Sequence, residues 1–395
     1  MDVAAVRTYQ SPTRLVHGIG AIAALGQEVR ALAVTRPLVV TDPGIVKAGL
    51  LDEALGPLRD AGLDPVVYDR VRPNPDIALV DEGAAFYASE RCDGLVAVGG
   101  GSSIDTAKGI GVVRANGGSI RQYEYGRDPI DRRIPPMVAV PTTAGTGSEV
   151  TLWAVITDPD RKVKFNVGGT PNVAPWVALI DPALTVNLPR SVTAGTGMDA
   201  LAHAIECYTM AYAQPLTDAV ALQAIDYVSR WLRVAYEEPG NLQARYHMSL
   251  AAMLAGMAYG TESAGAAHAM SQSAGGVHDV PHGDLTGRLL GPVVEFNHVA
   301  APDRFARVAR AMGKDTRNRS DAEAAELAVE EVYALTEDLH IPTLQQLGFS
   351  EDEIPMLAKI AFEDPQTVGN PRQLDPEAYE EIYRRAFRAG RRGRG

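Results

Sequence analysis

The chain has 395 residues, enough for two domains with sizeable cores, and its 46% apolar and 22% charged content is that of a soluble globular protein. A formal net charge of -12 speaks against nucleic acid as a partner, and no run of about 18 apolar residues offers a membrane span. The first ten residues lack the basic and apolar regions of a signal peptide, and two cysteines, Cys92 and Cys207, fit a reducing compartment, so a cytoplasmic location is expected.

Residues 36–42, Arg-Pro-Leu-Val-Val-Thr-Asp, predict a short buried strand that ends in an acidic residue. A helical pattern follows from Gly49 to Ala61, then a second strand at 65–68. The turn Arg72-Pro73-Asn74-Pro75-Asp76 comes next, and its two prolines exclude helix. Helical spacing returns from Asp76 to Glu90, and the strand at 94–98 runs straight into Gly99-Gly100-Gly101-Ser102, with Asp105 and Lys108 beyond. Alternation at this pace predicts a parallel sheet covered by helices.

Three glycines between a strand and a helix let the backbone approach a ligand closely, and the helix start offers amide donors at a positive dipole end. A pyrophosphate fits there, although the spacing is not Gly-x-Gly-x-x-Gly. Asp42 closes the first strand, where it either accepts ribose hydroxyls or caps the following turn. A strand at 137–140 meets a loop, Pro141 to Glu149, whose hydroxyl side chains and small neighbours supply donors for phosphate or ribose without bulk. Residues 151–158 read as a strand, with Lys164 in the next. Beyond Thr185 the character changes to Ala-rich helical stretches. The expected division is an α/β dinucleotide-binding domain over 1–186, Rossmann-like with a parallel sheet, and an all-α domain over 187–395. An Arg-rich tail from Arg384 to Gly395 reads as a solvated terminus.

The helical half carries the second chemical signal. Asp199 and His203 stand four apart in a segment without proline or internal glycine, so a helix places both side chains on one face. His268 and His282 are joined by a connection containing Gly275, Gly276 and Pro281, which allows a second pair of imidazoles to come round to the first. One carboxylate and three imidazoles suit a divalent metal of borderline softness, iron or zinc.

Together these stretches resemble the iron-containing, or group III, alcohol dehydrogenase family. The likeness rests on Gly99 to Ser102 with Asp105 and Lys108, the loop Pro141 to Glu149, Gly197-Met198-Asp199 with His203, and His268 with Pro281-His282-Gly283. Thr41-Asp42, Asn74-Pro75 and Asn370-Pro371-Arg372 extend it over nearly the whole chain. The resemblance implies an N-terminal nucleotide domain, a helical metal domain and a cleft where nicotinamide meets substrate. Its metal ligands fall on Asp199, His203, His268 and His282, with Fe2+ expected and Zn2+ an alternative. Its cofactor contacts fall on Asp42, Asn74, Gly99, Gly100, Gly101, Ser102, Thr142, Thr143, Thr146, Val155 and Lys164. The acidic residue at 42 favours NAD(H) over NADP(H), whose 2'-phosphate would meet a carboxylate.

Two positions depart from the family pattern. Gln272 stands where many members carry a second histidine of proton transfer, and His278 stands where tyrosine is common, so His268, Gln272 and His278 are the candidate catalytic set. The implied activity is hydride transfer between nicotinamide and a short primary alcohol or aldehyde, with the metal as Lewis acid. The rival reading is a polyol phosphate dehydrogenase or dehydroquinate-synthase-like enzyme of the same fold. Partners are expected to be the small substrate and further copies of the chain, as a homodimer or higher homo-oligomer.

Overall fold

A computed structural model describes residues 6–261 and 264–388, so most of the Arg-rich tail lies outside the described residues. The chain divides into two compact units, one over Gln10–Asn187 and one from Leu188 onward together with the segment that ends at Tyr9. That short segment, expected with the sheet, belongs with the helices instead: Gln214 Nε2 donates to the Thr8 carbonyl at 3.0 Å.

The first unit is built on eight strands, β1 (Arg14–His17), β2 (Pro37–Val40), β3 (Val66–Tyr68), β4 (Gly94–Gly99), β5 (Met137–Pro141), β6 (Trp153–Asp158), β7 (Val163–Gly168) and β8 (Val177–Ile180). Six form one sheet in the order β1-β8-β5-β4-β2-β3, and every pairing in it is parallel. Its central strands are apolar without alternation because both faces are covered. Leu38, Val40, Leu95, Ala97 and Ala139 pack on one side. Val39, Val96, Val98, Val138 and Val140 pack on the other.

The edge strand β1 and its neighbour β8 are not among the strands read from the sequence, and β6 and β7 stand apart as an antiparallel hairpin. Phe165 in that hairpin is core, fully buried among the apolar side chains of one sheet face. The chain winds outward from β2 to β3 on one side and from β4 through β5 to β8 on the other. Winding therefore reverses between β2 and β4. In an open parallel sheet, ligands bind beyond the carboxyl ends of the strands at such a reversal.

The second unit is helical, as expected. Helix Arg190–Thr209 lies at its centre, packed on helices Pro215–Glu237, Leu242–Thr261 and His282–Asn297. Residues 193–209 of that helix are nearly all buried, which is why small Ala and Gly recur among them. Close approach is the reason for one glycine in Pro-His-Gly: a Cβ on Gly283 would stand 2.5 Å from the Gly195 backbone. Among the described residues, no helix is long and apolar enough to cross a membrane.

Candidate active site

In the sheet unit, the winding reversal brings together the residues selected from the sequence. Asp42 follows β2 and the glycine turn follows β4. Asp42 Oδ1 accepts from the Gly44 and Ile45 amides, so the carboxylate caps the short helix Pro43–Lys47, while Oδ2 receives Ser103 Oγ at 3.3 Å. Helix Gly101–Asn116 begins at the turn with no side-chain cap, leaving its first amides to an incoming anion.

Gly99 has φ of 152°, and a Cβ there would stand 2.4 Å from Ser103 Oγ. Side chains added at Gly100 and Gly101 would press on Thr143 and Thr146, so the two loops form one small-residue surface. The Thr142 amide donates to the Gly99 carbonyl at 2.9 Å, and Thr142 Oγ1 is buried without a hydrogen-bond partner among the described residues.

The hairpin supplies the remaining candidates. Lys164 Nζ donates to Asn74 Oδ1 at 2.8 Å across 90 positions of sequence, and the Val155 amide donates to Asp105 Oδ2 at 3.0 Å. Lys108, fully buried, donates to the Trp153 carbonyl at 2.7 Å, Thr151 Oγ1 at 2.9 Å, the Thr151 carbonyl at 3.1 Å and Ser148 Oγ at 3.2 Å. Burial pushes this amine down to about 8 against the pull of Asp105 and Glu149, and burial raises Glu149 to about 7. Lys108 thus ties the hydroxyl loop and the hairpin to the helix behind the glycine turn. Its signal in the sequence was a lone lysine on the face shared by Ile104 and Gly111.

In the helical unit, helix Arg190–Thr209 holds Asp199 and His203, helix Ala266–Val277 holds His268 and Gln272, and helix His282–Asn297 opens with His282. Ligand atoms of Asp199, His268 and His282 lie within 4.8 Å of one another. Asp199 Oδ1 stands 3.5 Å from His268 Nε2 and 3.4 Å from His282 Nε2. Two ligand atoms on a tetrahedral centre with bonds of about 2.1 Å are roughly 3.4 Å apart, so the spacing is that of ligands around an ion. Asp199 Oδ1, His203 Nδ1 and His268 Nε2 are buried with no hydrogen-bond partner among the described residues. Orphaned polar atoms that converge are what a metal site presents before its ion is counted. The residues fit a divalent cation.

His203 stands at the edge of this group. Its Nδ1 is 3.9 Å from Asp199 Oδ2, and its ring lies against His268 at 4.1 Å between centroids and against Tyr259 at 4.9 Å. Burial and the neighbouring His268 push its imidazole down to about 4. Burial alone would raise the Asp199 carboxyl; His203, His282 and His268 overcome this and hold it well below the usual carboxylate range. Burial works against a charged His268, but Glu206 and Asp199 outweigh it and hold that ring up at about 9. Gln272 is buried one turn after His268, with Oε1 lacking a partner among the described residues.

His278 goes elsewhere: Nε2 is 2.7 Å from Glu353 Oε1, and the ring meets Phe349 edge-on at 4.5 Å. The residue that sequence reasoning missed is Glu206, whose Oε2 lies 2.5 Å from His268 Nδ1. A signal was present, since 199, 203 and 206 follow helical spacing on one face.

Comparison with known proteins turns this geometry into a family. The iron-containing alcohol dehydrogenase pattern matches residues 12–182, and the pattern of that family's C-terminal domain matches 193–387. The chain belongs to the iron-containing alcohol dehydrogenase family. Among its relatives, the choline dehydrogenase of Bacillus subtilis (strain 168) is 54% identical, over 96% of this chain and 95% of that one. The 1,3-propanediol dehydrogenase of Citrobacter freundii is 41% identical over 96% and 98%.

Solved structures agree. A 1,3-propanediol oxidoreductase superposes with a TM-score of 0.94 at 40% identity, covering 97% of this chain and all of that one. An alcohol dehydrogenase from Oenococcus oeni gives 0.93 at 38%, over 96% and 100%. As a member of this family the protein is an alcohol dehydrogenase, an oxidoreductase that interconverts alcohols and aldehydes.

Proposed function

We propose that this enzyme is an NAD(H)-dependent dehydrogenase of small primary alcohols that works with a divalent metal, Fe2+ or Zn2+, held by Asp199, His203, His268 and His282. The observation that carries the reading is the convergence of Asp199 Oδ1, His268 Nε2 and His282 Nε2, the first two buried without a hydrogen-bond partner among the described residues. When bound, the metal supplies Lewis acidity toward the alcohol or carbonyl oxygen, and nicotinamide supplies or takes the hydride.

The chain's own residues do the rest. Gly99 to Ser102 offer backbone amides to the pyrophosphate, Thr142, Thr143 and Thr146 offer hydroxyls, and Asn74, Val155 and Lys164 border the same cofactor. Asp42 caps a helix through Oδ1 and receives Ser103 Oγ on Oδ2, and its carboxylate at the end of β2 disfavours the 2'-phosphate of NADP(H). His203 contributes a neutral imidazole at the rim, consistent with its depressed value. Gln272 can accept a hydrogen bond but cannot carry a proton, so proton exchange is assigned to water and the cofactor ribose rather than to position 272.

Relatives act, by their names, on choline, 1,3-propanediol and lactaldehyde, which share a terminal hydroxyl or its aldehyde. The test is NADH oxidation with short aldehydes, betaine aldehyde included, on chelator-stripped protein with and without anaerobic Fe2+ or Zn2+. Activity restored by metal and reduced at least about a thousandfold in His268→Ala is expected, since Lewis acidity is worth several kcal/mol. Equal activity of stripped and reloaded enzyme would refute the metal assignment.

A further inference from the structure

We propose that Glu206 is the positioning residue of the metal site, fixing His268 with Nδ1–H donated to the carboxylate and Nε2 turned toward Asp199 and His282. The inference rests on the metal-dependent reading above. Glu206 and His268 are 5% and 2% exposed, so their contact is shielded from water. Three donors converge on this one carboxylate: His268 Nδ1 at 2.5 Å and the Gly265 amide at 3.1 Å on Oε2, and the Ala267 amide at 2.6 Å on Oε1.

The Gly265 position itself provides no side-chain cap for helix Ala266–Val277. Glu206 takes that place from another helix, and its negative charge sits at the positive end of the helix that carries His268. Room for it exists because residue 265 is glycine: a Cβ there would come within 2.8 Å of Glu206 Oε1.

The chemistry requires a carboxylate and not merely a polar group. A carboxylate only accepts, so all three neighbours can donate to it. With Nδ1–H committed to Glu206, the proton that must leave for a metal to bind is the one on Nε2, the atom 3.5 Å from Asp199 Oδ1, and its lone pair is then the one turned toward the other ligands. A carboxamide of the same shape must turn its NH2 toward one of the three donors. Facing His268, it would favour the tautomer with the proton on Nε2, where a metal must bind. Asp199 and Glu206 are seven apart on one helix, so ligand and positioning group move as one body and the imidazole is gripped through both nitrogens. Such outer partners typically govern metal affinity by 10- to 100-fold.

The experiment is competitive Zn2+ titration of the full-length wild type, Glu206→Gln, Glu206→Asp and His268→Ala against a chromogenic chelator, alongside thermal melts of the metal-free proteins. Expected is a loss of affinity of about 10- to 100-fold in Glu206→Gln, with partial recovery in Glu206→Asp. Zn2+ affinity in Glu206→Gln equal to wild type, with only the melting temperature lowered, would overturn the proposal and leave a helix-capping role. Long-range 1H–15N spectra of Zn2+-loaded wild type give a readout independent of variants: a protonated Nδ1 on His268 is expected, and a protonated Nε2 would overturn it. A wild type that binds Zn2+ no better than His268→Ala overturns the metal reading itself, and this inference with it.

Discussion

Behind the glycine turn of the sheet unit, the buried Lys108 amine is matched to Ser148, Thr151 and Trp153, and Asp105 receives Ser148 Oγ and the Val155 amide. In the helical unit, Asp199 Oδ1, His203 Nδ1 and His268 Nε2 are equally buried and find no hydrogen bond among the described residues. Both are polar clusters in apolar surroundings, yet one is complete and the other is short of a partner. A ligand held by backbone amides needs a rigid, satisfied scaffold beneath it. A metal ion needs side-chain lone pairs that nothing else has taken.

The comparison breaks most directly at Lys108. Replacing it with methionine removes the donor to Ser148 Oγ and the Thr151 carbonyl and leaves the Trp153 carbonyl with Thr151 Oγ1 alone, and about 3 kcal/mol should be lost from the urea unfolding of the sheet unit. A loss below about 0.5 kcal/mol would mean the network is solvated after all. In the helical unit the matching operation is removal of metal. An ion present at 100 times its Kd stabilises by about 2.7 kcal/mol, so chelator-stripped protein should melt several degrees below reloaded protein. Coincident melts would show that the orphaned atoms are not a metal site.

Gly99→Ala sharpens the distinction without touching either charged cluster. It forces a side chain onto Ser103 at a φ that L-residues rarely adopt, and NADH affinity should fall about tenfold by calorimetry while Zn2+ affinity is unchanged. The smallest effect is a pH dependence. Glu149, raised by burial to about 7, contributes stability that is full below its ordinary 4.5 and lost as pH rises through 7. Wild type should therefore lose ground to Glu149→Gln between pH 5 and pH 8 in urea melts, and parallel curves would place Glu149 in solvent.

Much of this was legible beforehand. The unbroken apolar runs at 37–40, 94–98 and 137–140 could only be strands covered on both faces, and the glycine turn announced itself between a strand and a helix. Strands β1 and β8 were harder: each is four residues long, and β1 shows no fully buried position. Glu206 escaped because its partners, Gly265, Ala267 and His268, are 59 to 62 positions away, and a glutamate on a helix reads as solvated until the partner helix is in place. His278 shows the converse. Its place where the family commonly has tyrosine made it a candidate for proton transfer, but its ring pairs with Glu353.

What the sequence determined by itself was the set of local elements and the donor types they carry, because helical and strand periodicity and glycine freedom act over a few residues. Only the tertiary structure decided which lone pairs stay unpaired. That outcome depends on which distant side chain arrives first: Glu206 at His268 Nδ1, none of the described residues at its Nε2, and Lys108 rather than solvent at the hydroxyl loop.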